Sequence, residues 1–127
     1  MGQQQLLLIV LGVIIVGIAI AVGITMFSSS ASNANRDAVV NDLNNLAAQA
    51  QQYWRKPLEM GGGNRSFTGF TLNARDTGNA NGHYSAVVAT DLVTITGKGK
   101  ETGRDGSTPV EVTSTVYADS VRATVSN

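Results

Sequence analysis

Cysteine is missing altogether, proline occurs only twice, and no charged side chain appears before Arg36. The absence of cysteine rules out disulfides and thiolate metal sites, so a folded head must hold itself by burial and hydrogen bonding alone. No proline precedes Pro57, so nothing of that kind interrupts a helix over the first part of the chain. Charge is scarce and balanced: nine basic and nine acidic residues among 127 give a formal net charge of zero. That balance argues against a polyanion, and nucleic acid is not expected as a partner.

The lone histidine, His83, has no carboxylate or second ligand at a spacing that would make a metal or acid–base pair, and it reads as a surface strand residue. Asp91, Asp105 and Asp119 are scattered and lack the alternating oxygen ligands of a calcium loop. No nucleophile, base and orienting group can be assembled, so neither catalysis nor a cofactor or metal is expected.

What is present is a long apolar run, Leu6 to Phe27, with Thr25 as its only polar side chain. As a helix these 22 residues would extend ~33 Å, the thickness of a bilayer's hydrocarbon core. Met1 to Gln5 carries no Lys or Arg, which fits a cleaved secretory signal poorly. Gly12, Gly17 and Gly23 recur inside the run with Ala19 and Ala21. Small residues of this kind let helices approach closely where lipid supplies no hydrophobic drive for association.

Beyond Phe27 the pattern becomes two-faced instead of stopping. Ser28 to Asn35 contains no Gly or Pro, and Val39, Leu43, Leu46, Ala50 and Tyr53 then step by helical intervals, widened by Val40, Ala47 and Trp54. Asp37, Asn41, Asn44, Asn45, Gln49 and Gln52 cover the opposite face. These are almost all uncharged amides, which can be packed against a neighbour without desolvating ions. The helix is expected to stop near Arg55 or Lys56, because Pro57 biases its predecessor out of the helical region and Gly61 to Gly63 follow. Those glycines read as a tight corner and not as a phosphate loop, since no strand precedes them and no Lys-Ser/Thr pair closes them.

After the corner the period is two. Phe67–Leu72, Tyr84–Thr90, Leu92–Thr96, Val110–Tyr117 and Val121–Val125 read as strands, and Lys98 to Pro109 as an exposed, mobile loop. The expected fold is α+β: one long N-terminal helix, apolar in its first half and amphipathic in its second, packed by a small antiparallel sheet. The expected division is an apolar helix over 1–27 and a head over 28–127. Within the head come the amphipathic helix over 28–56, a glycine corner over 57–64 and the sheet over 65–127. Asn64-Arg65-Ser66 also matches the N-glycosylation acceptor pattern.

This architecture, and above all the stretch over 1–54, resembles the type IV pilin family and its relatives, the pseudopilins of type II secretion. The MGQQQLLL start is also similar to pilin-like proteins of some environmental bacteria. In that family the mature chain begins after a glycine cut by a prepilin peptidase and carries a glutamate five residues in. If Met1 is the first residue of the assembled protein, as expected here, Gln5 stands at the glutamate position; if cleavage follows Gly2, Leu7 does. No charge can then pair with a neighbour's N-terminal amine, and no proline interrupts the helix as one often does in the family.

The resemblance implies a structural subunit of an extracellular filament, with roles such as adhesion or motility. It would be held together by bundled helices through Gln5, Leu8, Leu11, Gly12, Ile15, Gly17 and Gly23. Its partners would be further copies of itself, the inner membrane before assembly, and the pilus or secretion assembly machinery. The alternative is a pseudopilin or a single-pass anchor presenting a binding module.

Overall fold

The computed structural model describes residues 2–127, so Met1 and its expected role as the mature start lie outside the described residues. Helix α1 runs Gly2–Arg55 without interruption. A 3-10 turn at Leu58–Met60 follows, and then four strands: β1 (Gly82–Val88), β2 (Leu92–Thr102), β3 (Pro109–Tyr117) and β4 (Val121–Val125). The strands form one antiparallel sheet in chain order, β1-β2-β3-β4. The chain divides into two compact units, Met1–Ala31 and Ser32–Asn127.

Within the second unit the helical stripe lies on the sheet. Val39, Leu43, Leu46, Ala47 and Ala50 are buried against Val93, Ile95, Val110, Val112 and Val116, with Val40, Tyr53 and Trp54 at the margin. The alternation in β3 is as expected: Val110, Val112, Ser114 and Val116 face inward, while Glu111, Thr113, Thr115 and Tyr117 do not. Arg36, which periodicity alone does not mark as interior, is also buried. It donates to Asn33 Oδ1 at 2.8 Å and reaches the backbone oxygen of Asn127 at 3.5 Å.

The helix ends where Pro57 turns extended, and the glycine corner closes that end. The amides of Gly63, Arg65 and Asn64 donate to the carbonyls of Tyr53, Trp54 and Lys56 at 2.7–2.9 Å, supplying partners that a helix C-terminus otherwise lacks. Asn64 and Arg65 take positive φ to do so. A side chain at Gly63 would collide with the backbone of Ser66.

Two expectations are corrected. Phe67–Leu72 is not a strand. Gly69 takes φ +88, and the Phe70 amide bonds back to the Phe67 carbonyl, so the chain turns. This lets both aromatics enter the core, Phe67 beside Trp54 and Phe70 beside Tyr53. A flat strand would send residues three apart to opposite faces. The charged segment Lys98–Pro109 is also only partly a loop, because β2 continues to Thr102. Lys98 and Lys100 point to solvent while Gly97 and Gly99 are buried, so a period of two persists beneath a composition that looks irregular. The remaining loop is tied together by Asp105, whose carboxylate accepts the Ser107 and Thr108 amides and the Thr108 hydroxyl. These bonds hold Asp105 well below the usual carboxylate range, the Thr108 hydroxyl contributing most.

The inward glycines set how closely the helix approaches the sheet. A Cβ on Gly97 would lie 2.7 Å from Val39 Cγ1 and 2.9 Å from Tyr84 Cε1. Gly97→Ala is therefore expected to destabilise the head by about 1–3 kcal/mol through overpacking, read as a lowered midpoint in thermal melting. An unchanged midpoint would mean that the helix does not sit this close.

Candidate assembly surface

Within the first unit the helix carries its apolar side chains outward on every side. Each large hydrophobic residue from Leu6 to Phe27 is more than half exposed, from 52% at Ile14 to 77% at Phe27. Mean hydropathy reaches 3.2 over an 18-residue window none of which is buried, so the helix is long and apolar enough to cross a membrane. The one hydroxyl in the run causes no difficulty, since Thr25 Oγ1 donates back to the Ala21 carbonyl at 3.0 Å.

The expected assembly residues are strung along this single helix. Leu8, Gly12 and Gly17 border one shallow groove, together with Ile9, Val13, Val16 and Ile20. Leu11 and Ile15 are about as exposed as their neighbours, and Gln5 is likewise exposed. At Gly12, Gly17 and Gly23 an added Cβ would meet nothing within 4 Å. Each glycine costs a helix interior ~1 kcal/mol relative to alanine, and no contact among the described residues requires any of them.

The other candidates do not converge. His83 is an exposed residue of β1, and Asp91, Asp105 and Asp119 occupy separate turns. Among the described residues no group of three or more His, Cys, Asp or Glu could hold a metal ion. The Gly61, Gly62 and Gly63 amides that would have to cradle a phosphate are engaged with the carbonyls of Leu58, Pro57 and Tyr53. The amide face of the amphipathic segment, Asp37, Asn41, Asn44, Asn45, Gln49 and Gln52, is exposed throughout.

No protein-family model, curated protein or solved structure matches the chain.

One polar cluster escapes a reading by periodicity. Asp42 sits at the border of the apolar stripe, and its Oδ2 accepts from Tyr84 Oη at 2.5 Å, Asn79 Nδ2 at 2.9 Å and Asn81 Nδ2 at 3.0 Å. The bond ties α1 to the first strand. A lone acid beside Leu43 and Leu46 is the only local signal, since all three donors come from residues about 40 positions away. Burial alone would raise the Asp42 carboxyl, but the three donors outweigh it and hold it below its ordinary value. Burial first, and then the bond to Asp42, push the Tyr84 phenol well above its own.

These observations support two expected outcomes. Gly12→Ala and Gly17→Ala should leave the chain's own helix at least as stable, by circular dichroism in detergent, while Gly12→Leu and Gly17→Leu should impair association of copies by cross-linking. Equal association of all four variants would show that the glycines are incidental. The second outcome concerns pH. A depressed Asp42 contributes stability above its unfolded pKa of ~4 and loses it as pH falls through the folded value; a raised Tyr84 contributes below ~10 and loses it as pH rises beyond. Melting temperature should therefore fall at both extremes. In Tyr84→Phe the whole curve should be lower, by about 1 kcal/mol, and the alkaline decline smaller.

Proposed function

We propose that this chain is the structural subunit of an extracellular, type IV pilus-like helical filament, with bundled apolar helices as its core and the β-rich heads facing water. The observation that carries this is the apolar surface from Leu6 to Phe27, exposed all round the helix. A soluble monomer cannot leave a patch of that extent in water. Before assembly the same run, by its length, suits residence in the inner membrane. After extraction by an assembly machinery, copies of the chain itself would take the place of lipid. Contacts between staggered helices are head-to-tail and do not close, and such contacts build a fibre.

The role is mechanical and adhesive, or one in motility, and is not catalytic. The second reading, a pseudopilin or a single-pass anchor presenting the head as a binding module, accounts for the apolar length equally well. The glycines fit the polymer, because a bundle uses small residues where helices approach closely, whereas an anchor needs only the spanning length.

Negative-stain microscopy of material sheared from producing cells, labelled with antibody against the head, is expected to show filaments. Detergent-extracted protein that stays monomeric, with no filaments on cells, would overturn the proposal. Gln5→Ala should still assemble, because an uncharged amide contributes weak register and Leu8, Leu11 and Ile15 supply most of the packing. Loss of filaments at normal protein level would instead make the Gln5 amide as necessary as the family's glutamate.

A further inference from the structure

Two clefts abut along the exposed side of the helix within the head. The first, about 380 Å³, lies between Asp42, Asn45 and Gln49 on α1 and Arg75, Asp76 and Asn79 on the segment before β1. The second, about 460 Å³, lies between Gln52 and Tyr53 on α1, with Lys56 just past its end, and Phe70, Thr71 and Asn73 on the same crossing segment. Gln49 borders both, so the two clefts adjoin at that residue and together line a polar groove along ~20 Å of the chain from Asp42 to Lys56.

We propose that this groove binds a short neutral oligosaccharide. Its charges balance, with Asp42 and Asp76 against Arg75 and Lys56, which favours neither a polyanion nor a polycation. The hydrogen-bonding groups are of mixed type. Asp42 Oδ2 is engaged by three donors, which leaves Oδ1 as an acceptor. The exposed side chains of Asn45, Gln49 and Gln52 each offer both an acceptor and two donors.

Sugar hydroxyls, which donate and accept from one atom, match such alternation, and an apolar ligand does not. One wall is preorganised. Asn79 Oδ1 is held by the amides of Asn81 and Gly82 while its Nδ2 is held by Asp42, so ordering that wall costs little on binding. In the second cleft Tyr53 brings a half-buried ring, fixed against Phe70 at 5.5 Å between centroids, as an apolar surface for a sugar's C–H face. The inference does not depend on polymerisation, since the groove lies wholly in the head.

The test uses the full chain in detergent micelles, titrated separately with maltotriose, cellotriose and triacetylchitotriose while amide proton–nitrogen spectra are recorded. At least one trisaccharide is expected to give saturable shifts centred on the Asn45, Gln49 and Gln52 side-chain amides, with a dissociation constant of roughly millimolar or below. Asn45→Ala combined with Gln49→Ala should weaken that binding about tenfold or more at unchanged melting temperature, and Asn41→Ala, outside the groove, should not. The proposal is overturned if none of the three saturates, or if binding survives the double variant. It is equally overturned if trialanine, putrescine or a sulfated disaccharide occupies the groove and the neutral sugars do not.

Discussion

Water's exclusion of the surface from Leu6 to Phe27 governs most of what this molecule can be. At ~1.5–3 kcal/mol for burying each Leu, Ile or Val, the run represents on the order of tens of kcal/mol that no fold of the chain recovers. The apolar residues surround the helix on every side. By length and composition the helix could cross a membrane. The helix itself is suited to that surrounding, because its backbone groups are paired internally and the Thr25 hydroxyl bonds within the same turn.

The second half of the helix meets the opposite constraint. It must bury one stripe and leave the rest in water. The sheet covers that stripe across β2 and β3, and Gly97 sits where Val39 and Tyr84 come closest, so the helix seats against backbone there. Asp42 then fixes the helix to β1 and its preceding segment through three donors, a polar contact that a greasy interface alone would not specify. The glycine corner contributes from the other end, satisfying the last helix carbonyls while turning Phe67 and Phe70 under Trp54 and Tyr53.

These parts divide the labour along one element. The first half of α1 carries its apolar side chains outward, the inner stripe of the second half builds the head, and its amide-bearing side borders the groove.

The long helix, its division into an apolar and a two-faced half, the buried stripe and four of the strands follow from the sequence by itself, because each depends on a local period of 3.6 or 2 that side-chain transfer energies impose. The exposure of Leu8, Leu11 and Ile15 was legible in the same way, as apolar positions on an uncharged helix with no polar face to turn outward. Tertiary structure decided the remainder. Phe67–Leu72 has strand composition but bends, because its two aromatics can both reach the core only from a turn. Lys98–Thr102 has loop composition but pairs with β3, because the inward glycines leave room for the helix. The Asp42 cluster and the groove beside it join residues from 17 positions apart, Tyr53 and Phe70, to 42 apart, Asp42 and Tyr84, and no local period carries that information: a hydrogen bond acts over about 3 Å in space, and only the packed helix and sheet bring those groups within reach.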